Sequence, residues 1–540
     1  MPIQTVNPAT GEVLRRFDPL SAETIKSKIE IAHLAFQSYR SVPLDDRALW
    51  MRKLAGILEH ETEELASLMT LEMGKTLVSA RQEIHKCATG CRFYAANAQR
   101  FLADEPIATE GAESYVRRDP LGVVLAVMPW NFPFWQVFRF MAPALMAGNV
   151  GLLKHASNVP QCALAIEALV RRAGFPRGTF QTLLLESKQM DSVLADERVV
   201  AVTLTGSEAA GRAVAAQAGW LLKPSVLELG GSDPFIVMPS ADLDTAISTA
   251  VKARTVNNGQ SCIAAKRFIV HEDIYADFET RLVAAMESLK IGDPMLEDTD
   301  IGPLASAQIL EELEGQVQAA TRAGGRILCG GERMVGAGNF FEPTVLTGVP
   351  RTASIYRDEL FGPVAILFVA SSLAEAIEIA NDSPFGLGAS VWSRNEEEIE
   401  RCVAELECGM VFVNAQVASD PRLPFGGIKR SGYGRELSAV GMHAFMNAKT
   451  VFVAEAVKQT EIAFQPGSAA EHPLGAAQNR SFAEPDLHEN EPEPVFSARS
   501  ISSGDSSKEF QKALRSALNE DESAARKSYG SKLSVVPRSE

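Results

Sequence analysis

Short apolar runs alternate with helical stretches between residues 121 and 230, and this alternation constrains the fold more than any other feature of the chain. The predicted strands cover residues 121–128, 150–153, 180–185, 199–204 and 225–229. Residues 160–172 are expected to form a helix, because Gly174 and Pro176 follow and end it. The alternation predicts an α/β fold with a parallel sheet covered by helices, whose ligands bind at the carboxyl ends of the strands.

Other segments indicate further units. Residues 20–100 are typical of helices, with Ser21 and Asp45 as N-caps. A second alternating block covers about residues 232–420, with a helix over 242–255, a strand at 268–270 and a helix over 273–289. Beyond about residue 457, Ser, Glu, Pro and Ala dominate, so residues 457–540 are expected to be largely disordered.

Composition excludes several classes of partner. A chain of 540 residues is too long for one simple core, so two or three domains are expected. The net charge of -16 opposes non-specific binding to nucleic acid or to an anionic membrane surface. The seven cysteines are scattered without a C-x-x-C pair, which predicts neither disulfides nor a metal site. No signal peptide or membrane span is indicated, and the expected location is a reducing cytoplasm.

Cys262 and Glu228 are candidate catalytic residues. Cys262 follows a break at Gly259, which suits a thiol exposed in a cleft, and a nucleophilic thiolate also requires a lowered pKa. The alternative is a small buried residue, as most lone cysteines are. Glu228 lies between apolar neighbours, where burial raises its pKa toward that of a general base. Its alternative is a structural carboxylate paired with a buried Lys or Arg.

Two turns that follow predicted strands are suited to bind an oxyanion and a phosphate, respectively. Asn131 lies in the rigid turn 129–133, where its amide can stabilise an oxyanion, a role worth roughly 3 kcal/mol, or simply satisfy backbone groups. Thr205, Gly206 and Ser207 end a strand and begin a helix, which favours phosphate binding. The G-x-G-x-x-G fingerprint is absent, so this motif alone is weak.

Taken together, the motifs resemble those of the aldehyde dehydrogenase superfamily. The segments that match in order and spacing are 7–12, Lys154, 205–207, 227–231, 259–262, 359–363 and 424–432. The resemblance covers about residues 3–456 and is greatest to the shorter bacterial succinate-semialdehyde dehydrogenases of NADP type. The C-terminal extension lies outside it.

The resemblance implies a covalent mechanism. Cys262 attacks the aldehyde, and the Asn131 amide with a backbone N–H holds the oxyanion of the thiohemiacetal. Hydride transfer to the nicotinamide leaves a thioester, which water activated by Glu228 hydrolyses to the acid. Glu228 is usually missing from the branch of the family that transfers the acyl group to coenzyme A, so its presence favours hydrolysis.

The resemblance also implies a cofactor site. The corresponding residues are Trp130, Lys154, Ser157, Thr205, Gly206, Ser207, Leu229, Gly230, Glu359 and Phe361. Glu359 would hold the nicotinamide ribose, and Phe361 would pack near the ring. Many family members carry a glutamate where this chain has Ser157, and that glutamate repels a 2′-phosphate. NADP is therefore expected to be preferred, with NAD as the second cofactor.

Substrate selection is expected to depend on a carboxylate clamp. Family members that act on carboxylated aldehydes resemble this chain at Arg139 and Ser419, which would bind the distal carboxylate, while Trp135 lines the tunnel. Succinate semialdehyde is then the leading substrate. The alternative for Arg139 is a salt bridge to a buried acidic group.

Three parts follow from the resemblance. They are a Rossmann-like cofactor domain (1–111 and 129–231), an α/β catalytic domain (232–423) and a small β oligomerisation element (112–128 and 424–456). Within that element, a hairpin at 112–128 and a last strand near 449–455 would join subunits into a homodimer or a dimer of dimers.

Other functions stay open at this point. One alternative is the same chemistry on a longer aliphatic or an aromatic aldehyde, and another is a non-enzymatic role of the fold as a scaffold. For the tail the two alternatives are binding of an unknown protein partner through a helix over 508–527, with Phe510, Leu514 and Leu518 on one face, and an inert extension.

Overall fold

A computed structural model describes residues 2–454. In chain order the strands are β1 (Ile3–Val6), β2 (Val13–Phe17), β3 (Glu105–Pro106), β4 (Glu113–Pro120), β5 (Val123–Met128), β6 (Val150–His155), β7 (Phe180–Thr182), β8 (Val199–Thr205), β9 (Ser225–Glu228), β10 (Asp233–Val237), β11 (Ala265–His271), β12 (Arg326–Cys329), β13 (Thr344–Thr347), β14 (Val364–Ala370), β15 (Phe385–Gly386), β16 (Gly388–Trp392), β17 (Met410–Val413), β18 (Ile428–Lys429), β19 (Gly432–Tyr433) and β20 (Met446–Val453). The predicted tail 457–540, with its helix over 508–527, lies outside the described residues.

The helices surround the sheets. They are α1 (Ala22–Tyr39), α2 (Leu44–His60), α3 (Thr62–Met73), α4 (Leu77–Phe101), α5 (Trp135–Ala147), α6 (Pro160–Arg172), α7 (Met190–Ala195), α8 (Glu208–Trp220), α9 (Leu243–Thr255), α10 (Glu272–Glu287), α11 (Ala307–Arg322), α12 (Leu373–Asn381), α13 (Glu396–Glu405) and α14 (Ser438–His443). Short 3₁₀ helices cover Ser187–Gln189, Val256–Gly259 and Ser354–Arg357. None of the helices within residues 2–454 is both long and apolar enough to cross a membrane.

Two large sheets form the body of the protein. The first has the order β19-β9-β8-β5-β6-β7, in which only the short edge strand β19 is antiparallel. The second has the order β12-β13-β14-β11-β10-β16-β17, in which only β12 is antiparallel. Parallel strands covered by helices on both faces must be apolar throughout, and the central strands are buried along their length. The predicted α/β class is confirmed.

Local sequence signals account for the helix starts beside the first sheet and before the cysteine. Pro160 occupies the first turn of α6, where its missing N–H costs nothing. Ser207 caps α8 by accepting a hydrogen bond from the backbone of Ala210. Asp242 caps α9 in the same way, so the predicted helix 242–255 begins one residue later than expected.

A third, three-stranded sheet has the order β20-β4-β3. The predicted hairpin over 112–128 is wrong in its second half, because Val123–Met128 pairs with β6 and β8 inside the first large sheet. A strand that is buried on both faces needs neighbouring elements on both sides, which a small solvent-exposed sheet does not provide. The predicted range 424–456 is also divided between two sheets. Gly432–Tyr433 extends the first large sheet, and Met446–Val453 joins the three-stranded sheet, which we call the arm.

Candidate active site

Cys262 lies in a tightly constrained turn between α9 and β11. The turn places Asn257 and Asn258 at φ +57° and Gly259 at φ +75°. Asn tolerates this left-handed region better than most residues, and Gly enters it without penalty. A Cβ atom on Gly259 would lie 2.3 Å from the carbonyl carbon of Gly362. The cysteine turn therefore packs directly on the segment that follows Glu359.

Side-chain amides join this turn to the turn that contains Asn131. Nδ2 of Asn257 donates to the backbone oxygens of Asn131 (2.7 Å) and Gln260 (3.0 Å). Nδ2 of Asn131 donates to the same Gln260 oxygen at 3.2 Å. Because Asn131 is buried and held at both its backbone and its side chain, its amide is fixed beside Cys262.

Lys266 is a residue of the site that the motifs did not reveal. Its Nζ donates to the carbonyl oxygens of Ser261 and Cys262, each at 2.7 Å, and lies 3.2 Å from Oε1 of Glu359. That oxygen also accepts a hydrogen bond from the backbone of Gly231 at 3.1 Å. Lys266 is fully buried, so one cation orients both the cysteine turn and Glu359. A lysine directly before Arg267 and the apolar run Phe268–Val270 of β11 was the signal available in the sequence.

A cavity of about 420 Å³ opens on one side of Cys262. Nine of the ten predicted cofactor residues line it, namely Trp130, Ser157, Thr205, Gly206, Ser207, Leu229, Gly230, Glu359 and Phe361. It lies at the carboxyl ends of the parallel strands, and α8 begins beside it, as expected of a nucleotide site. Lys154, the tenth residue, belongs to β6, three positions before Ser157, and does not line the cavity.

The residues present fit a phosphorylated nucleotide. Burial lowers the pKa of Lys154, and within residues 2–454 no carboxylate lies at salt-bridge distance from its amine. Ser157 brings no negative charge to the neighbouring wall of the cavity. A buried cation without an acidic partner favours an anionic ligand nearby.

A second cavity of about 110 Å³ lies on the other side of Cys262. The three predicted substrate residues Arg139, Trp135 and Ser419 line it together with Cys262, so the structure brings them to one place. Lys86, from α4, also lines it and was not predicted. Cys262 borders both cavities.

Arg139 forms a salt bridge with Glu436, and both side chains are buried. The structure thus shows the alternative that the sequence left open for Arg139. Glu228 lies nearby, outside the lining of both cavities, with its Oε1 only 2.5 Å from where a Cβ of Gly426 would be. Burial and the neighbouring Glu436 raise the pKa of Glu228 well above its usual range, and Arg139 opposes this. A shift in this direction favours the protonated carboxyl as long as the group stays out of contact with water.

The thiol of Cys262 has a pKa raised to about 12 in this state, chiefly by loss of solvent. The positive charges of Arg139 and Lys266 act in the opposite direction. The lowered pKa that a nucleophilic thiolate requires is therefore not present in this state of the site, because burial outweighs the two nearby cations.

The fold and the site together define a class. The protein is a two-sheet α/β protein in which a single thiol separates a nucleotide-sized cavity from a small cavity lined by cations and aromatic rings. The model of the aldehyde dehydrogenase family matches residues 1–451, and the chain belongs to that family.

Individual relatives agree with this assignment. The chain is 55% identical over 454 residues to a probable succinate-semialdehyde dehydrogenase [NADP(+)] of Synechocystis, which covers 84% of this chain and all of the relative. It is 56% identical over 457 residues to succinate-semialdehyde dehydrogenase [NADP(+)] 1 of Mycobacterium tuberculosis, with the same coverage. Among solved structures, the succinic semialdehyde dehydrogenase of Streptococcus pyogenes in complex with NADP+ is 40% identical, with a TM-score of 0.82 over 84% of this chain and all of the other.

Proposed function

We propose that this protein oxidises succinate semialdehyde to succinate, with NADP preferred over NAD. The observation that carries the proposal is the position of Cys262, which borders both the nucleotide-sized cavity and the smaller cavity. A nucleophile placed there contacts an aldehyde from one side and a hydride acceptor from the other. The names of the relatives support the choice of substrate and cofactor.

In the first half of the proposed reaction, the sulfur of Cys262 attacks the aldehyde carbon, and the thiol proton leaves to a nearby base. The charge that develops on the carbonyl oxygen is stabilised by the second N–H of the Asn131 amide, which the turn holds in place. When bound, NADP would supply the acceptor for the hydride of this carbon, and Glu359 and Phe361 in the wall of the larger cavity would hold its nicotinamide end. The result is a thioester on Cys262.

In the second half, Glu228 acts on water. A carboxyl whose pKa is raised by burial accepts a proton efficiently near neutral pH once water enters the cavity. The hydroxide equivalent adds to the thioester carbon, the C–S bond breaks, and the thiol of Cys262 is restored. Water and aldehyde thus yield the acid, one hydride equivalent and one proton.

Ser157 and Lys154 favour NADP over NAD. Ser157 lines the cavity without a charge, and Lys154 is a cation without an acidic partner in the described chain. A 2′-phosphate gains from the lysine and meets no repulsion from the serine.

The test is NADPH formation from succinate semialdehyde and NADP, compared with NAD and with butanal, which has the same number of carbons and no carboxylate. Faster turnover with NADP and the semialdehyde is expected, and Cys262→Ser should abolish it. If no aldehyde is oxidised by the wild-type protein, the proposal is wrong. If butanal and the semialdehyde react equally well, the oxidation stands and the substrate assignment falls.

The three-stranded sheet supports a proposal about assembly. Strand β20 exposes 55% of Phe452 and 45% of Val453, and such an apolar edge is a liability unless another chain covers it. We therefore propose that this arm joins subunits into a homodimer or a dimer of dimers, which light scattering tests. A reaction that depends on a reduced thiol also favours the cytoplasm as its location.

A further inference from the structure

The turn that contains Asn131 leads directly into α5, whose first backbone N–H groups are out of contact with water. Every residue of α5 is buried, and the side chain of its N-cap residue Phe134 makes no capping hydrogen bond. The first N–H groups of a helix have no acceptor inside the helix, so a buried helix start needs an acceptor from elsewhere. Here that acceptor is Glu83 of α4, whose Oε1 accepts hydrogen bonds from the backbone N–H groups of Phe134 and Trp135, both at 2.8 Å.

Glu83 is itself held by Lys75, which lies between α3 and α4. The amine of Lys75 forms a salt bridge with Oε2 of Glu83, and both side chains are buried. The helix dipole favours a carboxylate at a helix N-terminus, but a buried carboxylate without a counter-ion is strongly unfavourable. Lys75 therefore keeps Glu83 charged and directs it at the start of α5.

The segment that contains Lys75 also contacts two turns of the active site directly. Nζ of Lys75 lies 4.2 Å from the ring centre of Phe132, the residue that follows Asn131. The carbonyl oxygen of Gly74 accepts a hydrogen bond at 2.9 Å from Nδ2 of Asn258, which belongs to the cysteine turn. One short segment is thus in contact with the turn of the nucleophile and with the turn of the oxyanion donor.

We propose that the buried Lys75–Glu83 pair positions the Asn131 amide for the oxyanion, and that it does so through the start of α5. The inference rests on the proposed function and adds two positioning residues to that site. Neither of them lines the two cavities beside Cys262, so both act through the turn and not on the substrate. Lys75 fixes Glu83 and packs on the ring that follows Asn131, and Glu83 fixes the peptide groups at the end of the same turn.

The expected size of the effect follows from the role of the amide. Loss of one oxyanion donor lowers kcat by about 100- to 1000-fold, and a misplacement of about 1 Å lowers a rate by about 100-fold. A turn that loses its support at the start of α5 keeps the amide but not its position, so kcat should fall by about 10- to 100-fold. The loss should be equal for succinate semialdehyde and butanal, because both aldehydes form the same oxyanion. The Kd of NADPH should not change.

The experiment compares two double variants of the full-length enzyme, both of which lack the two charges. Lys75→Met/Glu83→Gln retains a carbonyl oxygen that accepts from the N–H groups of α5, whereas Lys75→Met/Glu83→Leu does not. Replacement of a buried ion pair by uncharged groups of similar volume is often tolerated, so both proteins should fold. The second variant should show the loss in kcat, and the first should recover most of it. The control Arg92→Met/Glu59→Gln removes an exposed ion pair between α4 and α2 and should behave as wild type.

The route through Asn131 is tested in the background Asn131→Ala, in which the amide is absent. Addition of Lys75→Met/Glu83→Leu to this background should lower kcat by less than about threefold, because the pair has no amide left to position. A further loss as large as in the wild-type background would mean that the pair acts by another route, and would overturn the proposal. A wild-type kcat in Lys75→Met/Glu83→Leu would overturn it as well.

A single conservative variant tests the same point if the second double variant does not fold. Glu83→Asp retains the charge and the salt-bridge partner but withdraws the acceptor from α5 by one carbon. Its kcat should fall while its thermal unfolding stays close to that of the wild type. Hydrogen exchange at the amides of Phe134 and Trp135, followed by mass spectrometry, should become faster, and this readout does not depend on turnover.

The outcomes separate this proposal from the proposed function. If the wild-type enzyme oxidises neither aldehyde, the proposed function fails and the positioning role fails with it. If the wild-type enzyme is active but Glu83→Asp has unchanged kcat or unchanged exchange, only the assignment of the Lys75–Glu83 pair is overturned. Unequal losses on the two aldehydes would also overturn it, because they would indicate a role in substrate selection.

Discussion

The thiol of Cys262 should react slowly with small reagents in the free enzyme. Loss of solvent raises its pKa from 9.0 to about 12. At pH 8, about one thiol in 11 is ionised at the lower pKa and about one in 10,000 at the higher, a ratio of about 900. A more basic thiolate is the better nucleophile, and a Brønsted slope of about 0.45 over three pKa units raises the rate constant of the thiolate by about 20-fold. The net expectation is a reaction about 40 times slower than that of an unperturbed cysteine.

The assay follows exchange with 4,4′-dithiodipyridine, a neutral disulfide, from pH 7 to pH 10. Cys408 is the other cysteine that is not fully buried within residues 2–454, so its contribution is measured in Cys262→Ser and subtracted. The rate should rise about tenfold for each pH unit over the whole range, because a group with a pKa near 12 does not approach full ionisation there.

A rate that levels off between pH 9 and pH 10 would refute the reasoning. It would mean that the thiol has an ordinary or lowered pKa, and that Arg139 and Lys266 outweigh desolvation. A rate at pH 8 equal to that of a cysteine in an unstructured peptide would have the same consequence. In either case the free enzyme would already contain an activated nucleophile.

Three further changes test other parts of the structure. Ser157→Glu places a carboxylate in the wall of the larger cavity. Two unit charges of the same sign about 5 Å apart at an effective dielectric of about 20 repel by about 3 kcal/mol, so kcat/KM with NADP should fall by about 100-fold. The value of kcat/KM with NAD should change far less. The pKa of Asp233 is raised from 3.8 to about 7 by burial, so its stabilising contribution is full below pH 3.8 and is lost as pH rises through 7. The melting temperature of Asp233→Asn should therefore rise relative to wild type between pH 4 and pH 8, and a difference that does not vary with pH would contradict the shift. Gly259→Ala forces a positive φ on alanine and a clash with Gly362, so the free energy of unfolding measured in urea should fall by at least about 2 kcal/mol. The control Gly315→Ala lies in a helix with open space around it and should be neutral or slightly stabilising.

Much of this fold could be predicted from local sequence signals. The strands of the first sheet are short apolar runs, and α6 ends where Gly174 follows it, so periodicity and helix stops were sufficient. The boundary between the first large sheet and the three-stranded sheet could not be predicted from the order of the strands in the sequence alone. It depends on whether a strand is apolar and buried on both faces, as Val123–Met128 is, or only partly buried, as Glu113–Pro120 is.

The motifs of the site were predictable, but their charge states were not. The chain brings Cys262 and Asn131 together with the help of the Asn257 amide, which lies outside the matched motifs, and it pairs Arg139 with Glu436, which is distant in the sequence. Lys86 has the appearance of an ordinary lysine on an amphipathic helix. Only the packing of α4 against α5 places it in the cavity.

The division of roles among the cations follows from what neutralises each of them. Lys266 is held by Glu359 and two carbonyl oxygens, so it serves to orient the turn. Arg139 is held by Glu436, and loss of the Arg139 charge would leave that carboxylate buried and uncompensated, which costs several kcal/mol. Lys86 donates only to the neutral hydroxyl of Ser419. Within residues 2–454 it is therefore the cation of the smaller cavity with the weakest partner, whereas a cation with a strong partner is part of the frame.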